Sequence, residues 1–210
     1  MSNGMTLSAR SVLIATGAGR RKLEVPGADR LEHKGLTYCA SCDGPLFSGA
    51  DVAVIGGGNA GFESALQLLA YCKSVTLVHR SDSFKADEIT VRKAMEHPNF
   101  TALTNTEPME VLGEGLVSGL VVKDQGGETR TLPVTGIFVE IGVVPNTAFA
   151  KDVVARDSIG RIIADARNQR TNIEGIWAAG DCTDELYHQN NIAAGDAVRA
   201  LEDIYLHIHA

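Results

Sequence analysis

The sequence predicts an α/β fold, and three observations carry the prediction. An apolar run at residues 52–55 is followed by a glycine-rich segment at 56–61 and then by an amphipathic stretch, which is the order strand, turn and helix. A second apolar run at residues 75–78 closes this β-α-β unit. Residues 101–140 alternate over short segments separated by glycine-rich turns, which predicts an antiparallel β-meander against the β-α-β unit.

The length and the net charge of the chain limit the kinds of protein and partner that the sequence allows. A chain of 210 residues, of which 44% are hydrophobic, is long enough to bury a substantial core. The net charge of −7 argues against nucleic acid or an anionic membrane as the main partner. No run is long enough for a membrane span, and the apolar residues 12–15 are too short for a secretory signal. We therefore predict a cytoplasmic protein.

The remaining elements follow from apolar periodicity and from glycine and proline breaks. Residues 9–17 predict a buried strand, and residues 20–34 predict a connecting loop because they are polar and contain Pro26-Gly27. The chain after the β-α-β unit is predicted to add a charged helix, the meander, three short strands and a last helix. The predicted helices and strands cover residues 60–73, 85–96, 109–112, 116–123, 128–133, 137–142, 161–164, 175–179 and 191–206.

The motif Gly56-x-Gly58-x-x-Gly61 has the spacing of a pyrophosphate-binding turn. Glycine has no Cβ, so the turn can be tight and the backbone can approach phosphate, while the next helix offers N–H donors at its N-terminus. The alternative is an ordinary turn. Because the motif follows a strand and opens an amphipathic helix, dinucleotide binding is favoured and the unit is expected to be Rossmann-like.

The cations after the second strand indicate which nicotinamide nucleotide is bound. His79 and Arg80 stand where an acidic residue would select NAD, and Lys85 follows five residues after Arg80. Arginine can hold a 2′-phosphate with two hydrogen bonds. NADPH is therefore predicted, with NADH as the alternative because acidic residues in segment 82–88 reduce the positive potential. The other interpretation is a solvated loop.

Cys39 and Cys42 form a Cys-x-x-Cys pair, which is typical of redox chemistry in an intracellular chain. Asp43 follows directly and can exchange the proton that thiol–disulfide exchange needs. The alternative is half of a zinc site, but a structural zinc takes four ligands and the chain has no second pair of this kind. Cys72 and Cys182 stand alone and are expected to be inert; no metal site is predicted.

These segments resemble the low-molecular-weight thioredoxin reductase family of pyridine nucleotide-disulfide oxidoreductases, and within it the alkyl hydroperoxide reductase flavoproteins. The resemblance runs in unbroken order through almost the whole chain. The matching segments are residues 15–18, 39–46, 54–59, 79–80, 84–86, 142–147, 178–182 and 187–189. It implies a flavoprotein that passes electrons from NAD(P)H through FAD to the cysteine pair. The expected acceptor is a thioredoxin-like or peroxiredoxin-system protein disulfide, and the full-length form is expected to be a homodimer.

The resemblance also implies roles for individual residues. Cys42 is expected to face the flavin, Cys39 to attack the partner disulfide, and Asp43 to act as the acid. Asp181 is expected to hold the ribityl or phosphate region of the flavin, with Gln189 near its ring. The full implied set of cofactor-binding residues is Thr16, Gly17, Gly56, Gly57, Gly58, Asn59, Ala60, Glu63, His79, Arg80, Lys85, Gly142, Gly180, Asp181, His188, Gln189 and Asn190.

The family begins with a complete FAD-binding β-α-β unit that has its own glycine motif, whereas this sequence contains one such motif. The expected domains are therefore a partial FAD-binding domain, residues 1–18 and 139–210, and an NAD(P)-binding domain, residues 19–138. A truncated form with weak or no FAD binding is expected unless another chain completes the site. The alternative function is a nucleotide-binding module without flavin or turnover. Flavin reductases of ferredoxin type are disfavoured because they lack the cysteine pair.

Overall fold

The computed structural model describes residues 4–187 and 189–209. The chain divides into two compact units. We call Arg20–Gly142 the continuous unit, and Met1–Gly19 together with Val143–Ala210 the split unit. In the described part of the chain, no helix combines the length and the apolar character that crossing a bilayer requires.

The strands and helices are short, apart from the last helix. The strands are β1 (Val12–Ile14), β2 (Ala18–Arg20), β3 (Leu36–Thr37), β4 (Asp51–Ile55), β5 (Ser74–Val78), β6 (Phe100–Leu103), β7 (Thr106–Leu112), β8 (Gly119–Asp124), β9 (Thr129–Leu132), β10 (Gly136–Val139), β11 (Val143–Pro145) and β12 (Ile176–Ala178). The helices are α1 (Ala28–Leu31), α2 (Ala40–Asp43), α3 (Asn59–Leu68), α4 (Glu88–Met95) and α5 (Asn190–His209).

The continuous unit is built on a parallel sheet with the strand order β3-β10-β4-β5-β6. Because all of these pairs are parallel, the carboxyl ends of the strands lie along one edge of the sheet. The chain leaves β4 through α3 to reach β5 on one side, while β10 pairs with β4 on the other side. The end of β4 is therefore the point at which strand order reverses, where open α/β sheets bind ligands.

Alternate residues of β4 face two different layers. Val52 and Val54 join the core cluster that contains Phe62 of α3. Ala53 and Ile55 point to the opposite face and join the cluster formed with the antiparallel meander β7-β8-β9. These four side chains are fully or almost fully buried. The period of two along a strand thus produces the helix, sheet and meander layers, and the α/β class predicted from the sequence is confirmed.

Some elements differ from the sequence prediction. The stretch predicted as a loop at residues 20–34 contains α1, whose Leu31 is fully buried. Helix α3 ends at Leu68, earlier than predicted, because a tight turn follows in which Tyr71 N–H donates to Leu68 O at 2.9 Å. The predicted strand at 161–164 does not form. Its buried residue Ile162 makes isolated bridges on two sides instead of a continuous ladder.

The split unit contains a parallel pair, β1 with β12, in which Leu13 is opposite Trp177. Ile14 and Ala178 point into a small core that also contains Ile162 and the buried Cys182. Helix α5 is joined to β12 by Trp177, whose indole N–H donates to Asp203 Oδ2 at 2.9 Å. Because β1 and β12 are parallel, the loops after them leave from the same edge of this pair.

Glu140, directly after β10, ties three parts of the continuous unit together. Its side chain is 5% exposed. Ser64 Oγ of α3 donates to Oε1 at 2.8 Å, and Arg20 Nη1 donates to Oε2 at 3.1 Å. Burial raises the pKa of the Glu140 carboxyl above its ordinary value. The Ser64 hydrogen bond and the Arg20 charge oppose this shift, and the nearby Glu63 carboxylate adds to it.

This raised pKa predicts a pH-dependent stability that Glu140→Gln removes. The folded state binds the Glu140 proton more tightly than the unfolded state, so the free energy of unfolding of the wild type falls as pH rises from the ordinary carboxyl pKa of about 4.3 towards the folded value. The expected result is a stability curve for E140Q that is flatter in this window.

Urea unfolding measured from pH 4 to pH 8 tests this prediction, with the exposed Glu110→Gln as the matched control. The wild type and E110Q should lose stability in parallel through the window. If E140Q loses as much as they do, the Glu140 carboxyl is not the group that titrates.

Candidate functional site

The glycine motif forms a close-packed turn between β4 and α3. A Cβ built at Gly61 would lie 1.9 Å from Gly56 O, and a Cβ built at Gly56 would lie 2.1 Å from Glu140 O. These two glycines are therefore required by backbone packing alone. A Cβ at Gly58 would meet nothing within 4 Å, so this position faces open space. Gly58 is thus the position where a ligand can approach the backbone closely.

The start of α3 offers the N–H groups that bind an anion. Gly58 is the N-cap of this 10-residue helix, and no side chain caps it. The first-turn N–H groups have no partner within a helix, so the amides that follow Gly58, including that of Ala60, point towards the open space. The Asn59 side chain is engaged elsewhere, because its Oδ1 accepts from Asp87 N–H at 2.8 Å. Asn59 therefore joins the turn to the N-terminus of α4.

A cleft of about 670 Å³ lies at this edge of the sheet, within the continuous unit. This volume is in the range of small-molecule and cofactor sites. The lining residues that were predicted from the sequence are Gly56, Gly57, Gly58, Asn59, Ala60, His79, Arg80, Lys85 and Gly142. The lining residues that were not predicted include Arg21, Leu23, Thr106, Pro108 and Glu140. Glu63 was predicted but does not line the cleft; it lies exposed on α3.

Three cations in the cleft wall have unengaged side chains. Arg80 and Lys85 are exposed, and neither side chain has a hydrogen-bond or ion-pair partner among residues 4–187 and 189–209. The same holds for Arg21, whose backbone N–H donates to Gly142 O at 2.9 Å. By contrast, Asp87 is engaged as the N-cap of α4 and accepts from Ile89 N–H at 3.0 Å. This wall therefore suits a negatively charged group.

His79 at the end of β5, which also lines the cleft, packs against the glycine turn. A Cβ at Gly57 would lie 2.5 Å from His79 Cγ, so the imidazole packs directly against the glycine turn. Its Nε2 lies 3.0 Å from Ser83 O, and its ring stacks at a tilt on Phe84. Lys85 N–H donates to Gly57 O at 2.9 Å. These contacts hold the segment after β5 beside the phosphate-binding turn.

The cysteine pair forms a disulfide on the same unit. Cys39 and Cys42 are bonded, with Cα atoms 5.3 Å apart, and Cys39 is the N-cap residue of α2. Cys39 Sγ accepts from Cys42 N–H at 3.1 Å, and Cys42 is exposed. Asp43 is the last residue of α2, and Thr37 Oγ1 donates to its Oδ2. Each sulfur is bonded to the other, so the pair is a disulfide in this structure.

The two other cysteines are buried. Burial raises the pKa of the Cys72 thiol to about 11, so this group stays protonated at neutral pH. Cys182 is fully buried, and its Sγ lies 3.3 Å from Ala179 O and 3.5 Å from Ile14 O. Neither thiol is positioned for exchange with a partner protein.

In the split unit, two dipeptides that were predicted to bind the flavin follow the carboxyl ends of the paired strands β1 and β12. Thr16-Gly17 follows β1, and Gly180-Asp181 follows β12. The Asp181 carboxylate is partly exposed and has no hydrogen-bond partner in the part of the chain that the structure describes. It can therefore accept from the hydroxyl groups of a ribityl chain or ribose, so these residues fit that part of a flavin.

The other predicted residues of the split unit lie near the Gly180-Asp181 turn, except for one that is outside the described residues. Asn190 begins α5, and Gln189 precedes it. A Cβ at Gly180 would lie 3.1 Å from Ala193 Cβ, so the first turns of α5 pack against the Gly180-Asp181 turn. His188, also predicted, lies outside the described residues. Thr16 Oγ1 is engaged with Asn146 O at 2.7 Å.

Sequence reasoning missed Asp196, which holds the Gly180 turn. Its carboxylate is fully buried and accepts from Gly180 N–H at 3.2 Å, from Gln169 Nε2 at 3.3 Å and from Arg199 Nη2 at 2.5 Å. The signal in the sequence was an acidic residue between Ala193 and Ala200 on the buried face of the last helix. A buried carboxylate needs such donors, and here one of them is the backbone of the candidate flavin turn.

Comparisons with known proteins agree with this geometry. The model of the pyridine nucleotide-disulphide oxidoreductase family matches residues 1–197. The chain is 43% identical over 210 residues to the F subunit of alkyl hydroperoxide reductase from Xanthomonas campestris pv. phaseoli, a match that covers 99% of this chain and 39% of the relative. It is 40% identical over 201 residues to a protein named NADH dehydrogenase of Bacillus subtilis, covering 95% of this chain and 39% of that protein.

The structure is also similar to solved thioredoxin reductases. Against the enzyme of Lactococcus lactis the TM-score is 0.83 at 37% identity, and the match covers 94% of this chain and 66% of the other. The chain thus spans 39% of the length of the curated relatives above. The family match over 1–197 and these likenesses establish that the chain belongs to the pyridine nucleotide-disulphide oxidoreductase family.

Proposed function

We propose that this chain acts in an NAD(P)H-dependent, FAD-linked dithiol-disulfide oxidoreductase of thioredoxin-reductase type. The observation that carries the proposal is the Cys39–Cys42 disulfide in the same compact unit as a cleft with a phosphate-binding turn. The names of the similar proteins, alkyl hydroperoxide reductase and thioredoxin reductase, support this reaction class. The family as a whole uses pyridine nucleotides and disulfides.

In this proposal the cleft binds the nicotinamide nucleotide across the end of β4. The amides of Gly57, Gly58 and Ala60 hold the pyrophosphate at the start of α3. Arg80 and Lys85 lie at the β5 side and hold a 2′-phosphate, which favours NADPH over NADH. The nicotinamide end then extends to the β10 side, towards Gly142, because β5 and β10 flank β4.

The cysteine pair receives the electrons and passes them on. The chemistry supplied by bound NAD(P)H and FAD is the delivery of two electrons to the disulfide, which breaks the sulfur–sulfur bond. Cys42 faces the flavin, and the Cys39 thiolate attacks one sulfur of the partner disulfide. Asp43 gives a proton to the thiolate that leaves. In the complete cycle NAD(P)H, one proton and the partner disulfide become NAD(P)⁺ and the partner dithiol.

The split unit is proposed to hold part of the flavin. The contacts come from Thr16, Gly17, Gly180, Asp181 and Gln189. The Asp181 carboxylate, which has no partner among the described residues, supports this assignment. The proposed acceptor is a thioredoxin-like or peroxiredoxin-system protein disulfide, in line with the names of the relatives. Homodimeric assembly remains a prediction from the family resemblance, and a cytoplasmic location remains a prediction from the sequence.

The first test measures dithiol formation in the purified chain. In samples that retain added FAD, anaerobic NADPH is expected to release two thiols per chain, counted with a chromogenic disulfide. Cys39→Ser and Cys42→Ser should abolish the release, because either substitution prevents the disulfide. Ser41→Ala, between the two cysteines, is the matched control and should behave as the wild type.

Retained flavin and nucleotide binding without thiol release, with NADPH and with NADH, would contradict the electron path. Nucleotide binding without retained flavin would favour the alternative of a nucleotide-binding module. An absorption spectrum of the same samples reports whether flavin remains bound after gel filtration, and the cofactor that bleaches a flavin band faster identifies the preferred donor.

A second prediction concerns Gly58→Ala. A Cβ at this position meets no protein atom within 4 Å but enters the space where the pyrophosphate approaches the backbone. The variant should keep its free energy of unfolding to within about 0.5 kcal/mol and lose about tenfold or more in NADPH affinity. Fluorescence titration with NADPH measures the affinity.

Gly115→Ala is the matched control, because a Cβ there also meets nothing within 4 Å and Gly115 does not line the cleft. It should bind NADPH as the wild type does. Equal affinity in G58A and G115A would exclude the Gly58 turn as the pyrophosphate site.

A third prediction separates NADPH from NADH. Arg80→Ala removes an exposed guanidinium that has no partner in the described residues, so the protein fold should not change. The affinity for NADPH should fall about tenfold, because a charge-assisted contact to phosphate is lost, whereas the affinity for NADH should change less than about twofold. Arg92→Ala, exposed on α4 and outside the cleft, is the control. A parallel loss for both nucleotides would contradict the assignment of Arg80 to the 2′-phosphate.

A further inference from the structure

Thr37 is a buried polar residue that the reaction scheme above does not use. It lies on β3, where it is paired with Phe138 of β10, and its exposure is only 6%. Its hydroxyl donates to Asp43 Oδ2, six residues along the chain. A hydroxyl in so buried a position needs a partner, and here that partner is the carboxylate next to the cysteine pair.

Asp43 is held at two points and leaves one oxygen unengaged. Its backbone N–H donates to Cys39 O at 3.1 Å, which fixes the residue on the same turn as both cysteines. Its Oδ2 receives the Thr37 hydroxyl. Its Oδ1 has no hydrogen-bond partner within residues 4–187 and 189–209. A carboxylate anchored by one oxygen has fewer rotamers open to it, so the second oxygen keeps a defined direction.

We propose that Thr37 is a positioning residue for the proton transfer that serves the Cys39–Cys42 pair. It fixes the Asp43 carboxyl so that its second oxygen is available to the exchanging thiols. The inference rests on the proposed function, in which Asp43 is the acid. Thr37 keeps its own proton throughout, since a hydroxyl can donate both to a carboxylate and to the carbonyl oxygen of a protonated carboxyl.

In the exchange reaction, Asp43 donates one proton and later regains one. The Cys39 thiolate forms a new bond to one sulfur of a disulfide, the old sulfur–sulfur bond breaks, and the leaving thiolate takes the proton from Asp43. The Cys42 thiol then gives its proton to Asp43 and attacks the Cys39 sulfur of the mixed disulfide. The bond from Cys39 to the other molecule breaks, the Cys39–Cys42 disulfide closes, and the second sulfur of that molecule leaves as a thiolate. Thr37 touches neither sulfur in this scheme, so its effect must pass through Asp43.

The test follows the exchange reaction without flavin. The full chain is reduced with dithiothreitol, freed of reductant without oxygen, and mixed with oxidised glutathione. Acid quenching and mass measurement give the second-order rate constant for formation of the Cys39–Cys42 disulfide. Asp43→Asn is expected to slow the reaction about tenfold or more. Thr37→Val, of nearly the same shape, is expected to slow it about three- to tenfold, and Thr37→Ser, which keeps the hydroxyl, should react within about twofold of the wild type.

The double variant T37V/D43N tests directly whether Thr37 acts through Asp43. If Thr37 acts through Asp43, the double variant is as slow as D43N alone, because neighbouring residues that act as one unit are not additive. Thr147→Val is the matched control: this threonine is also buried and donates its hydroxyl, to Gly160 O, but lies in the split unit. If T37V does not fold, as judged by circular dichroism, Thr37→Ala replaces it in the cycle.

The outcomes separate this inference from the proposed function. A slow T37V, a normal T37S and a non-additive cycle support the positioning role. A slow D43N with a normal T37V, or additive losses in the double variant, overturns that role and leaves Asp43 as the acid. A normal D43N overturns the acid role in the proposed function, and the inference about Thr37 falls with it.

Discussion

The close approach of three backbone segments at the end of β4 is the constraint on which the candidate nucleotide site depends. Gly61 packs on Gly56 O, and Gly56 packs on Glu140 O, at distances that leave no room for a side chain at either glycine. This contact brings the start of α3 to the end of β10 and opens the cleft beside them. The helix N-terminus, the cations after β5 and the buried Glu140 carboxyl thereby meet around one space.

The same sheet carries the redox pair. Strand β3 is only two residues long, but it pairs with β10 and leads directly into Cys39 and α2. Thr37 of this strand then reaches Asp43 at the end of α2. The disulfide and the cleft that we assign to the nucleotide are therefore built on one sheet within a single compact unit.

The split unit depends on a different interaction, the buried Asp196 carboxylate. It is fully enclosed and is satisfied by one backbone amide and two side chains. Loss of one donor to such a group leaves a charge without compensation, which is costly in a protein interior. The buried Asp196 carboxylate thus holds the Gly180-Asp181 turn through the Gly180 amide. The Asp181 carboxylate has no partner among the described residues and can bind a ligand.

The α/β class, the family, the glycine turn between β4 and α3 and the cysteine pair follow from the amino-acid sequence alone. These signals are local, because a few adjacent residues contain the whole pattern. The tertiary structure was needed to show that Arg21 and Glu140 line the cleft, that Glu63 does not, and that Asp196 supports the Gly180 turn. It also showed that Asn59 and His79 are engaged in holding the turn. These features depend on which strands pair and on which helices pack against them. Such contacts join residues that are far apart in sequence, and no local sequence pattern predicts them.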